Sequence, residues 1–167
     1  MTRMTRMQRR TLWISIAGVL AVTAYAALAA VQILVLNPLA AAPGLTLDEI
    51  GSEMANAGEN LSEGAMFFIL GIGVVFAVVL AVVSIGTGAH PLVPTIGFLV
   101  LLMLGTIGYF AASFGAGMGL ADAFGISGGD YSPWAVPLYA VSALYGVALV
   151  VVGIMSAVRQ RPARAVA

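Results

Sequence analysis

Four uninterrupted apolar runs organise the chain. They cover residues 11–36, 65–87, 92–115 and 134–158, and none contains Asp, Glu, Lys, Arg or His. A helix needs about 20 apolar residues to cross the roughly 30 Å hydrocarbon core of a bilayer, and every run reaches that length. Lipid offers no water to satisfy backbone N–H and C=O groups, so each run is expected to be helical. The pattern predicts an all-α integral membrane protein. Because spans two to four are joined by short links, neighbours should pack antiparallel as an up-and-down four-helix bundle.

Polar residues are confined to the gaps and the ends. The gap 37–64 is the larger loop and contains "TLDEIGSEMANAGENL". Thr46 and Glu49 stand at capping-box spacing. Leu47, Ile50, Met54 and Leu61 then recur at helical spacings and share one face, while Asp48, Glu49 and Glu53 occupy the first turns, where the helix dipole favours acids. A short amphipathic helix is expected here. Its apolar face either lies on the protein's own bundle, the commoner arrangement, or docks on another subunit, in which case Leu47, Ile50, Met54 and Leu61 are the candidate partner contact.

The second loop, 116–133, belongs to the glycine-rich stretch "FGAGMGLADAFGISGGDYSPW". A dinucleotide fingerprint requires a strand, a glycine turn and a helix; this stretch follows a membrane helix, so no nucleotide is expected. Gly115, Gly117 and Gly119 are expected to fray the end of span three, and Gly128 and Gly129 to form a turn before span four. Asp122 and Asp130 are the weak candidates for a small cation or substrate site in that loop.

Charge then sets the orientation. Arg3, Arg6, Arg9 and Arg10 precede the first span, Arg159, Arg161 and Arg164 follow the last, and all seven acids lie in the two larger loops. Arginines near span ends are retained on the cytoplasmic side. Both termini are therefore expected inside, as basic irregular tails 1–10 and 159–167 flanking a membrane domain 11–158, with loops 37–64 and 116–133 outside and the chain multi-pass in the plasma membrane. Trp13 falls at the inner end of span one, and Phe67, Phe68, Tyr131 and Trp134 fall near outer ends, as interfacial aromatics do. The basic start and the "AAAP" at 40–43 resemble a signal peptide. An apolar run of 26 residues, however, greatly exceeds the 7–15 of a typical signal, so an uncleaved span is expected.

Composition narrows the chemistry. Of 167 residues, 61% are hydrophobic and 8% charged, with net charge zero, which suggests no nucleic-acid partner. Cysteine is absent, removing disulfides, thiolate nucleophiles and cysteinyl metal ligands. Lysine is absent too, removing a P-loop lysine or a Schiff base. Arg without Lys, amid abundant Ala, Val and Gly, resembles the usage of a high-GC bacterium. No ionisable residue lies within a span, which disfavours proton-coupled transport. The single histidine, His90, stands in the connector between spans two and three, so a paired-ligand haem is not expected either.

Two sets of residues remain. Thr23, Tyr25, Gln32, Thr106, Tyr109, Ser113, Tyr139, Ser142 and Tyr145 are the polar groups within spans, and such groups more often make interhelical hydrogen bonds than line a path. Gly73, Ala77 and Ala81, then Gly108, Ala112 and Ala116, and Ser142 with Gly146, are small residues at four-residue spacing that let helices approach closely. The expectation from all this is a non-catalytic accessory or assembly subunit of a larger bacterial membrane complex, without cofactor or metal, whose partners are lipid and other membrane subunits. The alternative is a small channel or transporter for a neutral or apolar solute. An enzyme acting through the loop carboxylates comes third.

Overall fold

The computed structural model describes residues 5–164, with side chains described over 5–158. It is helical, with four helices long and apolar enough to cross a membrane: Arg6–Ala41, Glu63–Gly86, Leu92–Phe124 and Ala135–Val158. This is the design of a multi-pass membrane protein. Both larger loops gather at one end of the bundle; the 88–91 connector and the chain's start meet at the other.

Helix α1 (Arg6–Val31) starts before the apolar run because Thr5 and Gln8 form a capping box. The Gln8 N–H donates to Thr5 Oγ1 at 3.2 Å and the Thr5 N–H to Gln8 Oε1 at 2.9 Å. The described part of the N-terminal tail is therefore helix, and so is residues 159–164 of the other tail; residues 1–4 and 165–167 lie outside the described residues. At its other end α1 passes through a π turn, Gln32–Leu36, into α2 (Asn37–Ala41) without leaving the helical path. Pro38 is the physical reason for the wide turn. A proline inside a helix removes an N–H and collides with the carbonyl four residues back, and the extra residue in the turn moves that carbonyl aside.

Helix α3 (Leu47–Asn56) carries the second capping box. Glu49 Oε2 accepts from the Thr46 N–H at 2.7 Å and from its hydroxyl at 2.8 Å, and these bonds hold the Glu49 carboxyl below the usual carboxylate range. Ile50 and Met54 are each 1% exposed and pack with Ala42 and Leu120. The apolar face of α3 is thus covered at these two positions by the chain itself. Leu61 is half-buried in the same cluster, and Leu47 is exposed.

Span two is α4 (Glu63–Gly86). Span three is two collinear pieces, α5 (Leu92–Met103) and α6 (Gly105–Phe124). The expected fraying at Gly115–Gly119 does not occur. The helix runs to Phe124 and ends at Gly125, whose φ of +63° is the left-handed conformation of a helix C-terminus. Gly115 and Gly119 instead supply clearance: a β-carbon at Gly115 would stand 2.7 Å from Ser62 Oγ, and one at Gly119 would stand 2.9 Å from the Asn60 carbonyl. The strand of loop leading into α4 crosses α6 at these two residues, so the glycines mark contact with another segment rather than a helix end. The second loop accordingly contracts to 125–134, before α7 (Ala135–Arg164).

The helices pack with α1 along α4, α5 against both α1 and α7, and α4 also against α6. Two apolar layers result. Ala29, Ile33, Met66, Leu70, Tyr109 and Leu138 fill the half nearer the large loops, and Val22, Ala77, Ala81, Phe98 and Leu102 fill the other. Of the small-residue ladders, Ala77, Ala81, Ala112, Ala116 and Ser142 are buried in the chain's own bundle, and Gly146 faces Met103. Gly73 and Gly108 face open space.

Glycines of like appearance therefore differ in consequence. Gly18 sits against the face of the Phe98 ring, where any β-carbon collides with ring atoms. Gly18→Ala is expected to destabilise the bundle by about 1–3 kcal/mol, the usual cost of overpacking. Gly108→Ala is expected to be neutral or stabilising by up to ~1 kcal/mol through helix propensity. Thermal unfolding in detergent micelles distinguishes the two, and a loss at Gly108 equal to that at Gly18 would contradict this packing.

Candidate functional site

Tyr109 and Tyr139 of the spans meet loop residues at the loop end. Asn37, buried at the start of α2, clamps the second loop. Its Nδ2 donates to the Gly129 carbonyl at 3.2 Å, and its Oδ1 accepts from the backbone N–H of Tyr131 at 2.7 Å and of Ser132 at 3.4 Å. The clamp fixes the residue between these contacts, Asp130. Each carboxylate oxygen of Asp130 then accepts one phenolic O–H: Tyr109 from α6 donates to Oδ1, and Tyr139 from α7 donates to Oδ2 at 2.5 Å. The two rings meet edge to face, with centroids 5.7 Å apart and planes at 78°, the preferred arrangement of aromatic quadrupoles.

Asp130 thus joins the loop to spans three and four. Tyr109 is among the most deeply buried side chains. Gln32 is itself fully buried and finds no hydrogen-bond partner among the described residues. Beyond Asp130 opens a cleft of about 310 Å³. Its walls are mainly apolar, from Phe110, Phe114 and Met118, with Ser113, Tyr139 and Asp130 as the polar groups. A cleft of this kind suits an apolar group carrying one hydrogen-bond donor or positive charge, because carboxylate oxygens accept only and retain lone pairs after each has taken one phenol.

The two candidate loop carboxylates have separate fates. Asp130 is the hub just described. Asp122 stands exposed on the last turns of α6 and contributes nothing to the cleft. Among the described residues no group of three or more His, Asp or Glu is placed to hold a metal ion.

The hydroxyl and amide set disperses in the same way. Tyr25 donates to the Leu138 carbonyl at 3.4 Å and accepts from Ser142 at 3.4 Å, and Ser142 Oγ also accepts the Thr106 backbone N–H at 3.0 Å. That last N–H is left unpaired within its own helix by the break at Leu104, and Gly105 admits the Tyr25 ring, since a β-carbon there would stand 2.7 Å from Cζ. Ser113 bonds the Phe110 carbonyl of its own helix, Thr23 is exposed on the outside of α1, and Tyr145 is half-buried. The nine residues are spread over several contacts rather than gathered at one. Asn37, the residue on which the loop end depends, was not among the candidates; its only sequence signal is the Asn-Pro pair closing an apolar run, which normally announces a turn.

Fold and site together describe a helical membrane protein of four candidate spans whose polar side chains cross-link the helices beside a small, mainly apolar cleft. No family model, curated protein or solved structure matches the chain.

Proposed function

We propose that the chain is a non-catalytic accessory or assembly subunit of a larger bacterial membrane complex, with both termini cytoplasmic and both large loops outside. The observation that supports this reading is the disposal of the polar groups. Tyr25, Ser142, Asn37, Tyr109 and Tyr139 are committed to bonds between elements of the chain, the role such groups have in stabilising membrane bundles. The placement of the seven arginines supports the orientation.

The burial of Ile50 and Met54 moves the proposed partner contact away from the apolar face of α3. Span four is the better surface. Only 6% of its most apolar 18-residue stretch is buried, against 17–22% in the other three, and Val147 and Val151 lie exposed one turn apart on it. A transmembrane helix of the partner is the proposed occupant.

Extraction of native membranes in mild detergent, with native mass measured on the purified eluate, tests the proposal. A stoichiometric hetero-complex is expected, and the double substitution Val147→Trp/Val151→Trp is expected to release the partner while leaving the chain folded, because lipid accommodates added bulk that a packed helix does not. Recovery of the wild-type chain only as a monomer or small homo-oligomer would overturn it and bring forward the channel reading, which solute flux through the purified protein in liposomes then decides.

A further inference from the structure

We propose that the end of the bundle opposite the large loops carries a binding site for the phosphate headgroup of an anionic lipid. Arg6 and Arg10 lie four residues apart on one face of α1, and Thr11 ties that helix to the 88–91 connector by donating from Oγ1 to the Ala89 carbonyl at 2.9 Å. The tie brings His90 to the arginines. Together with Thr95 they line a cleft of about 480 Å³, with Met7 and Leu92 as apolar wall. A second cleft of about 540 Å³ shares both arginines and adds Arg9 and Trp13.

The donor set is what a phosphodiester requires. Guanidinium groups present planar arrays of N–H donors that match phosphate oxygens. The Leu92 backbone N–H donates to His90 Nδ1 at 3.3 Å, so a neutral His90 ring carries its proton on Nε2 and is itself a donor. No carboxylate side chain offsets these cations locally. The sequence has no Asp or Glu before Asp48 and none between Glu63 and Asp122, which excludes the whole of α1, the connector and α5. The counter-charge must come from outside these elements, and the exposed Trp13, Met7 and Leu92 provide apolar surface for the glycerol and upper acyl chains that follow a lipid phosphate but not a free one.

Trp13 makes the site observable. The chain has two tryptophans, and Trp134 lines neither cleft, so Trp134→Phe leaves a single reporter beside the arginines. Titrating this protein in micelles with acyl-brominated phosphatidylglycerol or phosphatidylcholine reads occupancy as quenching. Half-quenching by the anionic lipid is expected at a mole fraction at least about fivefold lower than by the zwitterionic one, the worth of one basic side chain near an anionic surface.

Arg6→Gln/Arg10→Gln is expected to abolish that preference, and His90→Phe, which leaves the arginines in place, to weaken it at least about twofold. Equal quenching by the two lipids would overturn the site. Loss with the arginine pair but no change in His90→Phe would reduce it to diffuse attraction by a basic segment. Displacement of brominated phosphatidylglycerol by inorganic phosphate would assign the cleft to a soluble anion instead of a lipid.

Discussion

Met54→Ala is expected to destabilise the protein by about 2–5 kcal/mol, the range for truncating a fully buried methionine. Met54 is 1% exposed and fills the space between α3, Ala42 and Leu120, and its Cε reaches the position a β-carbon of Gly119 would occupy, 3.0 Å away. Shortening it leaves a cavity bounded by two helices that cannot collapse independently, because the loop leading into α4 already rests on α6 at Gly115 and Gly119. Ile50→Ala, 1% exposed in the same cluster, is expected to cost a similar amount, whereas Leu47→Ala, at the exposed first position of the same face, should remain within about 0.5 kcal/mol of wild type. Unfolding in micelles, with hydrogen exchange over 47–56, provides the measurement. Equal and small effects at all three positions would mean that α3 is not docked on the bundle.

The helix itself was legible from Leu47, Ile50 and Met54, because a repeat near 3.6 residues identifies an apolar face whatever covers it, whereas Leu61, read onto the same face, lies in the loop beyond the helix end at Asn56. What covers it was not legible. Packing on one's own bundle and packing on a partner impose the same pattern, and the residue that resolves the question, Leu120, lies 66 positions from Met54 in a stretch where glycine spacing suggested fraying. The spans were legible for a stronger reason: hydrocarbon admits so few backbone conformations that length and apolarity almost determine the element. Their ends were misplaced where local hydrogen bonds carry helix beyond the apolar run, as Thr5 and Gln8 do before span one, or where a helix changes its turn to pass a proline, as at Gln32–Leu36 before Pro38.

The candidate site was legible only in fragments. Asp130 stood out as an acid, and Tyr109, Tyr139 and Gln32 as polar groups within apolar runs, but nothing in their spacing joins them. Tyr109 and Asp130 are 21 positions apart and Tyr139 a further nine, with a helix end and a loop between. Their convergence follows from the path of the 125–134 loop, which is fixed by a residue more than 90 positions away, Asn37. A side chain that bonds backbone atoms leaves no complementary residue type for a sequence reading to pair it with.

Asn37→Ala is accordingly the substitution expected to disturb the site most. It strands three backbone groups, the Gly129 carbonyl and the N–H groups of Tyr131 and Ser132. An unsatisfied buried polar group costs about 1–3 kcal/mol. The Ser132 contact is long, and Gly129 and Tyr131 are exposed to water, so a total of about 1–3 kcal/mol is expected. Asn37→Asp separates the contributions: it keeps an acceptor for the two N–H donors but sets an acceptor in place of the donor against the Gly129 carbonyl, and is expected to cost stability while retaining the loop. The same pair of variants reports on Asp130. If the clamp positions that carboxylate, Asn37→Ala will also loosen the phenol bonds, so Tyr109 and Tyr139 should show shifted ultraviolet absorption in Asn37→Ala and near wild-type spectra in Asn37→Asp. Unchanged tyrosine spectra together with a lost loop would show that the tyrosines hold Asp130 by themselves, and that the cleft beside it is built by spans three and four alone.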